Sequence, residues 1–488
     1  MRYTILDCYT DEPAGLGVPP YLGTYPRYLA GYLLQKGHQL EYINIDDLRL
    51  YKIYKGIKKE PSVKEKTNIR IYNTTGKDAD EILNKTEILI IILGCHVPGK
   101  YLSALPGTLR EITPLISELK CIKILTGPAV HGTQLEGGKF FEKIQEDVFD
   151  EIMEFNPTYE EIADYAIRGS QLAKQIPQLR IMEIETSRGC PREKGCSFCT
   201  EILKSPFIFR KTEDIIAEIK KLYSLGQRYF RLGKQSCFYS HPDPVNILKK
   251  ISKSCPDIKV LHIDNVNPVN VVKDEKDGAP ITKAIVKYCT SGNIAAFGAE
   301  SFDPDVYEQN NLNSDAETTY NAVKILNRYG RENGENGMPM FLPGINILFG
   351  LKGETKTTHE HNMKWLNRIL EEKLLIRRIN VRQVSIFEGT ALYEECGNKY
   401  IRKNKRYYWK WRNDIRQNID NKMLKLLVPV GSILKDVYSE IYDGKTTFMR
   451  QVGTYPLIIG VKGRLPLNSF YNVKITGHML RSIIGEII

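Results

Sequence analysis

Short apolar, β-branched runs alternate with amphipathic segments of helical length through residues 1 to about 175. The runs are YTILDCYT, LEYINI, EILIIILG and CIKILTGPA, and TYPRYLAGYLLQKG separates the first two. Strands followed by helices at this spacing predict parallel pairing through right-handed crossovers, hence an α/β, doubly wound, Rossmann-like domain. Such sheets take ligands outside the carboxyl ends of their strands. Gly- and Pro-rich loops fall at four such places: TDEPAGLGVPPYLGTYP, GCHVPGKYLSALPGT, TGPAVHG and EGGKF. Their glycines would let backbone approach a large ligand closely, and they suit plain turns equally well.

The alternation continues from 176 to 395, with candidate strands at LRIMEIET, YFRLG, KVLHIDN, IAAFGAES, PGINILFGL and IRRINVRQVSIF. Six βα units in succession predict a partial (β/α)6 barrel of TIM type, with its functional loops at the carboxyl ends of the strands. A charged, aromatic helical linker covers 396–425. Beyond it, residues 426–488 change texture to short β-rich runs broken by Gly, Pro and Asn, which predicts a small β-barrel.

With 488 residues, 42% of them apolar and 26% charged, the chain is read as a soluble protein of two or three domains. Its first twenty residues lack the form of a secretory signal, and no apolar run is long enough to span a bilayer, so a cytoplasmic protein without membrane association is expected. The net charge of +11 is concentrated in runs such as KGIKKE and NKYIRKNKRYYWKWR, which fit either solvated faces or a basic partner surface. Ten cysteines in such a chain are read as thiols or metal ligands rather than a disulfide framework.

Three of these cysteines sit on one loop, ETSRGCPREKGCSFCTE, after the first strand of the predicted barrel. Cys190, Cys196 and Cys199 have five and then two residues between them, and thiolates gathered this way suit zinc or an iron–sulfur cluster. A structural zinc site would be completed by a fourth Cys or His at similar spacing, and none stands nearby. Three ligands alone leave a coordination position open.

The segment resembles the cluster loop of the radical S-adenosylmethionine (SAM) superfamily, whose usual spacing is three and two residues with an aromatic before the third cysteine. Phe198 takes the aromatic position, and the first gap is longer by two. Further motifs follow in order over about 215 residues. GAESFD resembles the fourth-strand segment, in which Glu300 and Ser301 would approach SAM. LFGLKGET resembles the fifth-strand motif, with Gly350 and Gly353 along the adenine and ribose. VRQVSIFEGT resembles the sixth strand, bringing Arg382. In RLGKQSC, Gly233 fits the second-strand motif but Lys234 and Gln235 supply no carboxylate, so Gln235 and backbone carbonyls would hold the SAM amino group.

The resemblance implies a [4Fe–4S] cluster on the three cysteines, with SAM on the open iron and a 5′-deoxyadenosyl radical as the reactive species. Arg188 and Arg192 would tune the cluster, and a ferredoxin or flavodoxin would reduce it. The N-terminal domain resembles the cobalamin-binding domain of one large class of these enzymes, in which Gly15, Gly17, His96, Gly99 and Gly127 would contact the corrinoid. His96 and Gly99 match the second half of an Asp-x-His-x-x-Gly motif, and Gly94 replaces its Asp.

The C-terminal barrel resembles the TRAM type found in RNA-modifying enzymes. Together these features resemble an archaeal group of cobalamin-type radical SAM proteins, which implies a C-methyltransferase acting on a macromolecule. A protein is favoured over RNA, with methyl-coenzyme M reductase as a candidate. Two alternatives stay open. One is a methylthiotransferase or other RNA-modifying enzyme, with a second cluster on Cys8, Cys95 and Cys121. The other is a non-enzymatic RNA-binding protein.

Overall fold

The computed structural model describes residues 1–10, 16–56, 74–94, 105–131, 133–135, 140–142, 146–204 and 206–488. The chain forms two compact units. One comprises Met1–Ile184, Glu213–Phe230 and Glu440–Lys445, and the other Glu185–Thr212, Arg231–Ser439 and Thr446–Ile488.

The first unit is built on five parallel strands in the order Gln39–Asn44, Arg2–Asp7, Ile88–Ile92, Ile122–Thr126, Glu151–Ile152. Asp7 pairs with Asn44 on one side and Ile92 on the other, and Ile92 in turn pairs with Thr126. Every residue of Ile88–Ile92 is buried, which is why a central parallel strand reads as an unbroken apolar run. Strand order reverses between Arg2–Asp7 and Ile88–Ile92, the kind of switch point at which open α/β sheets take ligands.

Helices Thr24–Gln35 and Tyr159–Gly169 pack backbone to backbone. A Cβ on Gly169 would lie 1.8 Å from the Arg27 carbonyl oxygen, and one on Gly31 2.0 Å from that of Tyr165. Only hydrogen fits at either place. The Arg27 guanidinium, fully buried, donates to the carbonyls of Leu22, Gly23 and Glu183 and pairs with Glu218 at 2.6 Å.

Strands and helices then alternate as the sequence predicts, with the predicted third strand divided at Asp264 between two sheets. Ile181–Glu185, Tyr229–Gly233 and Val260–Ile263 run in one sheet. Asn265–Val266, Asn293–Glu300, Phe341–Phe349 and Arg378–Gln383 form a second, all parallel. The ladder between Asn293–Glu300 and Phe341–Phe349 shifts register between Phe297 and Glu300, and Glu300, paired with Ile347, ends the strand with a φ of 60°.

Helix Lys399–Ile415, a π-turn over Arg416–Asp420 and helix Asn421–Leu427 lead into a closed five-stranded barrel. Its strands are Ile433–Asp443, Thr446–Gln451, Ile458–Lys462, Phe470–His478 and Ser482–Ile487. The Gly453–Tyr455 loop of this barrel, in the second unit, meets residues of the sheets just described. Thr454 bonds His262, Arg377 donates to the Tyr455 carbonyl at 3.1 Å, and the Arg378 guanidinium lies 3.7 Å from the centre of the Tyr455 ring. Arg377 and Arg378 stand at the amino-terminal end of their strand. Glu300 and Gly350 emerge from the opposite, carboxyl ends.

Candidate functional site

The cysteine loop is pinched at its base, where Ser187–Arg188 pairs antiparallel with Ile208–Phe209. Gly189, at a φ of 75°, turns the chain just before Cys190, and the Cys199 N–H donates to the Cys196 carbonyl at 3.0 Å. Asn310 fixes the middle of the loop: its carbonyl accepts the Ser197 N–H at 2.9 Å and its amide oxygen the Ser197 hydroxyl at 2.8 Å. Arg192 reaches both Cys196 Sγ, at 3.3 Å, and Asn311 Oδ1, at 2.9 Å. Phe198 and Cys196 pack against an apolar group that includes Val306, Leu351, Val384 and Leu392.

Burial pushes the Cys196 thiol up to about 12, opposed by the Arg192 guanidinium and reinforced by Glu300, Cys199 and Cys190. A thiol so placed ionises only when cationic charge joins it, as the irons of a cluster would. Among the described residues no three His, Cys, Asp or Glu side chains converge on one metal ion. The three ligands of a cubane each take a different iron and need not meet at a point.

Glu300 supplies the second half of the site. Burial pushes its carboxyl up to about 8, with only Arg382 opposing, and Oε2 is buried without a hydrogen-bond partner. Gly298 makes room for it, since a Cβ there would lie 2.9 Å from Glu300 Oε1. A buried carboxylate oxygen that lacks a partner costs free energy unless a donor or cation arrives. Its position in the field of Cys196 fits the cationic amino or sulfonium group of SAM.

The other expected contact residues have partners within the chain. Gln235 is buried, accepts the Thr186 hydroxyl at 3.2 Å and donates to the Leu232 carbonyl at 3.0 Å, so its amide ties strand ends together instead of awaiting a ligand. The Gly233 carbonyl accepts the Thr186 N–H. Gly350 and Gly353 both have positive φ. A Cβ on the first would meet Ile401 at 2.6 Å, and one on the second the Gln309 side chain at 2.8 Å. The Gly350 N–H already donates to Glu354 Oε2. These two glycines answer to the loop's own packing. The Ser301 hydroxyl accepts the Asp303 N–H, which caps the turn. Arg382 faces Glu300 from the sixth strand. Asn310 and Asn311, which anchor the cysteine loop, carry no signal of their own in the sequence.

In the first unit, Gly17 has a φ of 88°, and Gly127, at 90°, abuts Leu93, where a Cβ would lie 2.9 Å from the carbonyl oxygen. Gly94 abuts Ala129 in the same way, so both glycines let adjacent strand ends close on each other. Gly15, Cys95, His96 and Gly99 lie outside the described residues. At the switch point the described wall is Cys8, Tyr9 and Gly107, with the Gly107 N–H donating to the Cys8 carbonyl.

A second cluster on Cys8, Cys95 and Cys121 is ruled out. Cys8 follows the carboxyl end of Arg2–Asp7, whereas Cys121 precedes the amino end of Ile122–Thr126 in the same parallel sheet. Strands of five or six residues hold the two thiols roughly 15–20 Å apart.

Among the described residues no helix is long and apolar enough to cross a membrane. No family model matches the chain. It is 41% identical to the uncharacterized protein MJ0274 of Methanocaldococcus jannaschii, covering 100% of this chain and 93% of that one. It is 37% identical to an uncharacterized protein of Archaeoglobus fulgidus, covering 99% and 89%. Among solved structures, the apo form of OxsB, a cobalamin-dependent S-adenosylmethionine radical enzyme, superposes with a TM-score of 0.50 at 12% identity, covering 84% of this chain and 56% of that one. TsrM of Kitasatospora setae, a radical S-adenosylmethionine methyltransferase with cobalamin and a [4Fe-4S] cluster bound, gives 0.48 at 11%, covering 80% and 73%. The likeness to OxsB is one of fold, the radical SAM type. By identity over its whole length, the chain belongs to the family of the Methanocaldococcus protein MJ0274.

Proposed function

We propose that this protein is a cobalamin-dependent radical SAM methyltransferase that methylates an unactivated carbon of a macromolecule. A protein is favoured over RNA as substrate, with methyl-coenzyme M reductase as a candidate. The observation that carries the reading is the juxtaposition of three cysteines on one strand-end loop with the partnerless carboxylate of Glu300. The parallel sheet with its switch point, earlier in the same chain, adds the place for a corrinoid.

Cys190, Cys196 and Cys199 would hold the cluster and Glu300 the cationic end of SAM. When bound, the cluster and SAM supply hydrogen-abstracting radical chemistry and the corrinoid supplies a methyl carrier. The chain's own groups prepare for this. Arg192 donates to Cys196 Sγ and favours its anionic form, Phe198 and its apolar neighbours keep water from the loop, and Arg382 stabilises the ionised form of Glu300. The five-stranded barrel, of TRAM type in this reading, engages the macromolecule and lines no part of the cysteine site.

Anaerobic reconstitution with iron and sulfide tests the proposal. A reducible cubane by EPR, 5′-deoxyadenosine on reduction with SAM, and a corrinoid spectrum after expression with cobalamin uptake are expected. Stoichiometric zinc without iron would end the radical reading, and a cubane without corrinoid would remove the methyl carrier. The methylthiotransferase alternative would need a second cluster, and Cys8 and Cys121 stand at opposite ends of one sheet.

A further inference from the structure

Helix Lys399–Ile415, KYIRKNKRYYWKWRNDI, carries seven Lys and Arg against a single Asp. Its buried side is Asn404, Tyr408, Trp411 and Ile415, the 4-3-4 spacing of one helical face. Trp411 stacks on His359 with centroids 5.5 Å apart and touches Phe349 at 5.3 Å, while Asn404 bonds Glu354. The helix is therefore rigidly seated. Its other side presents Arg402, Lys405, Arg406, Trp409 and Lys410 to solvent, and Arg402, Lys403, Lys405, Arg406 and Trp409 line one surface pocket. Trp409 is 66% exposed, with the Arg412 guanidinium 5.0 Å from its ring centre.

A solvated face explains part of this arrangement but not all of it. Exposed helix faces normally interleave acids with bases, and like charges at i and i+4, as in Arg402, Arg406 and Lys410, repel. Among the described residues Arg402, Lys405, Arg406 and Lys410 form no ion pair. The indole set amid these cations touches the Tyr408 ring with centroids 5.1 Å apart and leaves most of its surface to solvent. Protein interfaces have apolar cores depleted in Lys, and here the one exposed indole is bordered by cations. A nucleic-acid strand offers phosphates for the cations and a base face for the indole.

We propose that the exposed face of Lys399–Ile415 binds a single-stranded nucleic acid, with Trp409 as the base-stacking platform and Arg402, Lys405, Arg406 and Lys410 as phosphate contacts. This inference concerns binding and stands apart from the methyl-transfer reading, since its test reads no turnover.

The test titrates the full chain with a fluorescein-labelled, uridine-rich twelve-nucleotide RNA, following anisotropy and tryptophan emission. Emission should be quenched, because Trp409 is the exposed member of the chain's three tryptophans. Affinity should fall linearly with salt on logarithmic axes. Trp409→Ala should weaken binding about tenfold and leave the salt slope unchanged. The double change Arg402→Glu with Arg406→Glu should lower the slope by about 1.4, at about 0.7 for each phosphate no longer neutralised. Circular dichroism should show every variant folded as the parent. No binding, or binding indifferent to both changes, would overturn the proposal. So would displacement of the RNA by polyglutamate at equal affinity with Trp409→Ala silent, which would mark the face as one for acidic proteins.

Discussion

Thr454 of the five-stranded barrel donates its N–H to His262 Nδ1 across 3.1 Å, joining residues 192 apart in sequence. With Nδ1 accepting, Nε2 carries the proton and donates to the Ser291 carbonyl at 3.2 Å, so the neutral imidazole satisfies both sides. Burial, helped by the Arg377 and Arg231 guanidiniums, lowers the His262 pKa to about 4.

That value sets a pH dependence. Below the unfolded pKa of about 6.5 the unfolded chain takes up a proton that the folded one refuses. The stabilisation is therefore complete above about pH 6.5 and is lost as pH falls toward 4, by at most about 3 kcal/mol. Urea unfolding of the parent and His262→Gln from pH 7.5 to 4.5 should show the parent losing stability more steeply. Parallel profiles would contradict the assignment.

The same docking predicts the effect of cutting the barrel away. Without residues 426–488, Arg377 is deprived of the Tyr455 carbonyl, Arg378 of the Tyr455 ring and the buried His262 of Thr454. Cutting the barrel away uncovers the apolar surface it covers, so the truncated chain should be largely insoluble. Tyr455→Ala should fold, at a loss of about 1–2 kcal/mol read from its denaturation midpoint. A truncation as stable as the parent would show the contacts to be incidental.

Cysteine identity should sort sharply in iron analysis after reconstitution. Alanine at Cys190, Cys196 or Cys199 should abolish the cubane signal. Alanine at Cys8 or Cys121 should leave iron content unchanged, because those thiols stand at opposite ends of a parallel sheet.

Glu300→Gln keeps size and removes charge. Because a charge-assisted bond to a buried carboxylate contributes about 1.5–3 kcal/mol, affinity for SAM should fall roughly ten- to a hundredfold while the cluster spectrum persists. Equal affinity in calorimetry would place the cationic group elsewhere.

Removing one partner of the Arg27–Glu218 pair exposes the other to a medium without water. Glu218→Ala should destabilise the chain by about 3–5 kcal/mol, measurable by thermal unfolding. A change under about 1 kcal/mol would mean that the three carbonyls around Arg27 suffice for its guanidinium.

Local order was legible along the chain because it is encoded locally. Buried parallel strands are unbroken apolar runs, so Ile88–Ile92 announces itself, and three thiols within ten residues must share a loop whatever the fold does. The motif around Glu300 and the texture of the final barrel are of the same kind. Which strand ends lie side by side is set by sheet order, which no periodicity records.

Only the folded chain could decide that Cys8 and Cys121 lie at opposite ends of one sheet, that Asn310 grips a loop 113 residues before it, and that Gln235 is spent on Thr186. Glycine is informative only in part for a related reason. The sequence shows where a side chain is missing but not what fills the space, and at Gly350, Gly353 and Gly127 it is Ile401, Gln309 and Leu93. Residues that meet only through packing, as His262 and Thr454 do, are neighbours by tertiary structure alone, because pairing at such separation depends on the whole chain between them.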